Sequence, residues 1–200
     1  MIPPGNSRYI SWSHPDNSLR LWHAEKCHGI YDSKHDGIVT CATFSQNGKI
    51  FATGGSDGVI RVYKSVKPTG ELPSSFSQCE ILSGHTSTIR AISVSRPYSI
   101  LVSSSDDKSC IVWDLNTMSF LRKLPHGEVV ISIDIHDLTG DIVTCSATSI
   151  KLWSINGELL SFQKVGNSSE DAITCCTFCP SPEGYMTIQV LIFNFFNFLL

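Results

Sequence analysis

Gly84 to Leu115 reads GHTSTIRAISVSRPYSILVSSSDDKSCIVWDL, and this stretch decides the architecture. It opens on Gly84-His85 and ends on Trp113-Asp114, with 28 residues from His85 to Trp113. Two other stretches repeat it. Lys34 to Lys64 reads KHDGIVTCATFSQNGKIFATGGSDGVIRVYK, again with 28 residues from His35 to Tyr63. His126 to Ile155 reads HGEVVISIDIHDLTGDIVTCSATSIKLWSI, with 27 from His126 to Trp153. A shorter copy, YISWSHPDNSLRLW, ends at Trp22, and another, DAITCCTFCPSPEG, begins at Asp171. Self-similarity at a period of about 40 residues means that each repeat is one unit of supersecondary structure, stacked on its neighbours.

Each unit reads as short strands. Ile38 to Phe44, Ile89 to Val94, Val129 to Ile135 and Ile173 to Phe178 are rich in β-branched residues and bounded by turn signals. Turns follow at Gln46-Asn47-Gly48, Arg96-Pro97, Leu138-Thr139-Gly140 and Pro180 to Gly184. A second strand comes next, then a tight turn of which Asp57-Gly58 is the clearest case. A third strand ends on Trp22, Tyr63, Trp113 or Trp153, and a polar outer strand such as Ser119 to Leu124 closes the unit. A Gly-His start and a Trp-Asp end at this period resemble the WD40 repeat, and the resemblance implies an all-β, propeller-type fold.

Asp16, Asp57 and Asp107 each lie six residues before the aromatic residue, and Thr53 and Ser103 each lie four before the Asp. The WD40 resemblance implies a hydrogen-bonded chain within each blade, running from turn Asp to loop His to hydroxyl to strand Trp. It assigns His85, Ser103, Asp107 and Trp113 to one such chain and His35, Thr53, Asp57 and Tyr63 to another. Tyr63 offers a phenol in place of the indole N–H. Ala147 or Thr148 stands where the third repeat needs its Asp, so His126, Thr144 and Trp153 are expected to form a weaker, incomplete version. In the first partial copy Trp12 falls where the hydroxyl belongs.

The expected organisation is an incomplete propeller over 1–192. Its blades fall near 1–33, 34–83, 84–125, 126–165 and 170–192, with a divergent apolar tail at 193–200. Three full blades and two partial ones leave the ring open, since even a small propeller needs about four complete blades. The chain therefore reads as a piece of a longer protein. Its last ten residues hold four Phe and no charge, as a truncated end would leave, and are of aggregation-prone character.

Net charge is −3, too weak a field to call for nucleic acid. The first hundred residues carry ten Lys/Arg against seven Asp/Glu, and Arg61, Lys64 and Lys67 mark a candidate partner-binding loop. The stretch SVKPTGELPSSFSQC after Lys64 is a long surface insertion. Cys176 and Cys179 form a C-x-x-C, but repeat alignment puts Cys175 at the position of Cys41 and Cys179 at that of Ser45. No second pair lies at zinc spacing, so no metal is expected. Asn167-Ser168-Ser169 matches a glycosylation acceptor and reads as a polar loop between blades. No nucleophile elbow, P-loop or dinucleotide fingerprint occurs, so neither catalysis, a cofactor nor a small-molecule substrate is expected.

Longer stretches narrow the resemblance. Arg96 to Asn116, Leu138 to Leu160 and Ile173 to Gly184, together with IPPGNSRYISWSHPDNSLRLW, resemble the propeller that follows a BEACH domain. They are most similar to the branch holding the lysosomal trafficking regulators and the autophagy-linked FYVE proteins. That resemblance implies a non-enzymatic scaffold in endolysosomal or autophagic membrane traffic. It would be cytoplasmic and bind proteins or peptides on its loop face, with any membrane association indirect. The alternative expectation is a generic WD40 adaptor in a ubiquitin-ligase or signalling complex.

Overall fold

The computed structural model describes residues 8–23, 26–45, 49–64, 79–165, 172–179, 187–192 and 195–199. These form five antiparallel sheets in series. The first holds β1 (Arg8–Ser11), β2 (Ser18–His23) and β3 (Lys26–Asp32). The second holds β4 (Val39–Phe44), β5 (Ile50–Gly55), β6 (Val59–Lys64) and β7 (Cys79–Ser83). The third holds β8 (Ile89–Ser95), β9 (Ile100–Ser105), β10 (Ser109–Asp114) and β11 (Ser119–Pro125). The fourth holds β12 (Val130–Ile135), β13 (Ile142–Ser146), β14 (Ser149–Trp153) and β15 (Leu159–Lys164). The fifth holds β16 (Ile173–Cys179), β17 (Thr187–Ile192) and β18 (Phe195–Leu199).

Strand alternation explains how the sheets stack. On β9, Leu101 faces the second sheet, while Ile100 and Val102 face the fourth. Both sets are buried, so β9 is buried along its whole length. Four apolar layers result, one between each pair of successive sheets. The aromatic residue of each blade looks back at its predecessor. Tyr63 packs with Ile10 and Leu19 of the first sheet, Trp113 with Ile60 and Val62 of the second, and Trp153 with Val102 and Val112 of the third.

The first strands of successive blades line up, β4 beside β8, β8 beside β12 and β12 beside β16. Each carries a bulge at the same place, between Val39 and Cys41, Ile89 and Ala91, Val130 and Ser132, and Ile173 and Cys175. The extra residue bends the strand and sharpens its twist where the blades crowd together. The last strands lie outside, and β15 is exposed throughout. The five sheets do not close into a ring, so the fold is an incomplete propeller.

The second strands run two residues past the hydroxyl, so Gly54 and Gly55 close β5 directly before the turn at Ser56 to Gly58. A Cβ at Gly55 would collide with the His35 ring and the Asp57 carboxylate as they stand, so the bare glycine sets where those two groups lie in this sheet. Within the stretch read as a foreign tail, Phe195–Leu199 pairs antiparallel with β17, with Val190 opposite Phe198. An uncharged, aromatic segment pairs readily with an open strand edge.

Candidate functional site

In an antiparallel blade, the loop entering the first strand and the turn joining the second to the third lie at the same end. That topology brings His85 to the Asp107 turn. His85 Nδ1 lies 2.8 Å from Asp107 Oδ2, and Nε2 lies 2.9 Å from Ser103 Oγ. Trp113 Nε1 donates to the same Oγ at 2.8 Å. The indole occupies the oxygen as a donor, so the hydroxyl proton is free for His85 Nε2, and Nδ1–H donates to the carboxylate. Asp107 also accepts from the Thr86 and Ser109 amides, at 3.2 and 2.9 Å. One carboxylate thus ties the loop, the turn and the strand together.

The second blade repeats this with a different end group. His35 Nδ1 lies 3.0 Å from Asp57 Oδ2, and Nε2 lies 2.9 Å from Thr53 Oγ1. Tyr63 sends its phenol onward to the Ser33 carbonyl at 2.9 Å. Burial pushes the Tyr63 phenol above its usual range, against a hydrogen bond with Thr53 that lowers it. Burial also holds His35 and His85 below the ordinary histidine range, opposed by their carboxylate partners. Asp107 is driven up by burial, but Ser109, His85 and the Thr86 amide outweigh that and hold it below its ordinary value.

In the fourth sheet, Trp153 Nε1 donates to Thr144 Oγ1 at 2.9 Å, but His126 stands apart. Its ring meets Trp153 edge to face at 5.4 Å, and its Nε2 is buried without a hydrogen-bond partner among the described residues. Glu128, which sequence reading missed, accepts from Ser146 Oγ at 2.6 Å and from Thr148 Oγ1 at 2.9 Å. It ties loop to turn from the opposite side. The legible signal was an acid two residues after the histidine in the one full repeat lacking a turn acid.

The first sheet corrects the placement of its hydroxyl. Ser11, one residue before Trp12, accepts from Trp22 Nε1 at 2.8 Å and lies 2.7 Å from His14 Nε2. Counting back from Asp16 points to Trp12, because it assumes the turn length of the later repeats.

Arg61 departs from its reading as an exposed contact. It is only 8% exposed, with its guanidinium 3.1 Å from His35 Nδ1 and 3.4 Å from Asp57 Oδ2. Lys64 lies at the other end of the same strand. There it lines a cavity of about 360 Å³ with Lys49, Arg96, Leu115 and Asn116. Lys67, most of the insertion and Asn167 to Ser169 fall outside the described residues.

Cys176 is buried between the fourth and fifth sheets, where its Sγ lies 3.7 Å from the Ser132 carbonyl, while Cys175 is exposed. A hydrogen bond with Cys176 and burial drive the Cys145 thiol far above its usual range. Among the described residues, no three His, Cys, Asp or Glu side chains come together as a metal would require. Among them, too, no helix is long and apolar enough to cross a membrane.

A family model, WD domain, G-beta repeat, matches residues 25–64 and 76–114. BEACH domain-containing protein A2 of Arabidopsis thaliana is 35% identical over 175 residues, which is 86% of this chain and 5% of that protein. WD repeat- and FYVE domain-containing protein 4 of Homo sapiens is 31% identical over 96% of this chain and 6% of its own length. The Homo sapiens lysosomal-trafficking regulator is 34% identical over 92% of this chain and 5% of its own length. The chain thus spans only about a twentieth of the length of these relatives. The chain belongs to the WD40-repeat family, and its homologues include BEACH domain-containing proteins.

Proposed function

We propose that this chain is a non-enzymatic protein-binding platform of a BEACH–WD40 protein in endolysosomal or autophagic membrane traffic. It would act in the cytoplasm, held to those membranes through its partners. One observation carries the platform reading. The histidine loops of successive blades are tied into their turns at one end of the sheets, which makes that end a rigid rim of ordered loops. A pre-ordered surface loses little conformational entropy on binding. The membrane-traffic part rests on the relative named a lysosomal-trafficking regulator.

Two sets of charge reversals separate the faces. Asp36, Thr86 and Arg90 lie exposed on the histidine rim, and Lys49, Arg96 and Asn116 lie at the opposite end. The chain is immobilised and the proteins it captures from cytosol are quantified by mass spectrometry. Asp36→Lys with Arg90→Glu is expected to deplete membrane-traffic proteins, while Lys49→Glu with Arg96→Glu leaves them. Capture unaffected by the rim pair would reject the histidine rim as the platform. Capture made up of ubiquitin-ligase or receptor-signalling subunits would reject the membrane-traffic assignment.

A further inference from the structure

The fourth sheet departs from its neighbours at one turn. β9 and β10 are joined by Asp106, Asp107 and Lys108, with Lys108 at φ 61°. β5 and β6 are joined by Ser56, Asp57 and Gly58, with Gly58 at φ 74°. β13 and β14 are joined by only Ala147 and Thr148. The shorter turn has no left-handed residue and no acid. In the other two sheets that acid accepts from His Nδ1 and from the next backbone amide, Asp36 N at 3.1 Å or Thr86 N at 3.2 Å. The loop at His126 is kept, but its acceptor is gone.

A cavity of about 260 Å³ opens at this place, bordered by His126, Glu128, Thr148, Lys151, Phe162 and Lys164. His126 Nε2 is buried beside it with no partner among the described residues, a state that native structures rarely leave unexplained. Burial, with the Lys151 charge behind it, pushes His126 down to about 4. Glu128 does not fill the gap. Its carboxylate is committed to the Ser146 and Thr148 hydroxyls, and no hydrogen bond joins it to His126. Two lysines against one glutamate leave the lining with an excess of positive charge, and Phe162 offers an apolar wall.

We propose that this cavity receives the carboxylate of an acidic side chain on a bound peptide, seated where the two preceding blades carry their own aspartate. The visiting carboxylate accepts from His126 Nδ1–H and the loop amide. With Nδ1 protonated, Nε2 is an acceptor that the Thr144 hydroxyl meets by turning from the Lys151 carbonyl, to which it donates at 3.4 Å, while its oxygen holds the Trp153 indole. Lys151 and Lys164 compensate the incoming charge, and Phe162 packs against the methylenes of the acidic side chain. The ligand thus supplies in trans the residue that the short turn lacks. The proposal rests on the protein-binding reading and gives it a chemical class of partner.

The test uses the 200-residue chain with its histidine rings isotope-labelled, followed by NMR. Short peptides, acetylated and amidated at their ends, carry Asp, Glu or Asn at the centre. Acetate and inorganic phosphate are titrated separately. The Asp or Glu peptide is expected to raise the His126 pKa towards its ordinary value and to bind about tenfold or more tighter than the Asn peptide. Thr148→Asp supplies the acid in cis and is expected to abolish that response, with the chain's near-ultraviolet spectrum unchanged. Glu128→Gln, which removes the competing charge, is expected to tighten binding. Asp and Asn peptides binding alike, or undiminished Asp-peptide binding to T148D or weaker binding to E128Q, would overturn the carboxylate seat. The platform reading would still stand, because the rim variants test it independently. Acetate binding as well as the peptide, or phosphate binding better, would overturn the peptide as the source of the anion.

Discussion

Removing one histidine from a complete blade should cost far more than removing its counterpart from the incomplete one. His85→Ala deletes a side chain with no exposed surface. It loses a bond to the Asp107 carboxylate at 2.8 Å and one to Ser103 at 2.9 Å. The first involves a charged acceptor and is worth about 1.5–3 kcal/mol, and the second about 1 kcal/mol. Lost burial of the ring adds about 1 kcal/mol. Asp107 keeps the amides of Thr86 and Ser109, which offsets part of this. The expected net loss is about 3 kcal/mol. His126→Ala forfeits an edge-to-face contact with Trp153, worth about 0.5–1 kcal/mol. It also removes an unpartnered buried nitrogen, which returns about 1 kcal/mol or more. These two terms nearly cancel, lost burial of the part-exposed ring adds about 1 kcal/mol or less, and the expected loss is about 1 kcal/mol. Urea unfolding of the two variants beside the parent measures both, provided that the slopes agree. Equal losses at the two histidines would refute the claim that the turn carboxylate is what makes the histidine structural.

Three other outcomes follow from the same geometry. Tyr63→Phe leaves the buried Ser33 carbonyl without its phenol donor, and unfolding should show a loss of about 1–2 kcal/mol. Gly55→Ala pushes a methyl group into the His35 ring and the Asp57 carboxylate, and should cost about 1–3 kcal/mol by denaturant. On acidification, the unfolded chain protonates His126 near 6.5 and the folded chain only near 4. The His126 contribution to stability therefore falls as pH drops through that window and levels off below it, beside like contributions from His35 and His85, and His126→Gln should make that part of a thermal-melt pH profile shallower.

Much of the fold was legible because its determinants are local and repeat. The bulge that bends each first strand recurs at Val39, Ile89, Val130 and Ile173, in segments whose β-branched residues already marked them as strands. Burial of β9 on both faces follows from its continuous apolar run, Ile100 to Val102, followed by three small serines, Ser103 to Ser105. What could not be read was pairing that depends on an available edge. Phe195–Leu199 carries no repeat signature, yet it joins β17, because an unpaired strand edge accepts any extended neighbour. Periodicity identifies the repeated strands, and edge availability decides what joins them.

The site was legible only as far as spacing is conserved from blade to blade. Counting from the aromatic residue identified Asp107, Ser103 and His85, because identical turn lengths put those atoms within 3 Å. It failed at Ser11, where the turn differs in length and His14 supplies the imidazole. It also failed at Arg61, whose position on β6 looked exposed until β5 and the His35 loop enclosed its guanidinium. These misses share a cause. A hydrogen-bonded chain needs its donors and acceptors in place, and more than one sequence can put them there. Glu128 shows the limit of such substitution, because it replaces the turn acid as a tie between loop and turn but not as a partner for His126. A blade whose only task were folding could restore that partner with a single aspartate at Thr148. The sequence instead keeps the histidine, the hydroxyl and the tryptophan of the chain, and lines the gap with lysines. Loss of the first member of a chain whose other members persist is the pattern expected when the missing group arrives from outside.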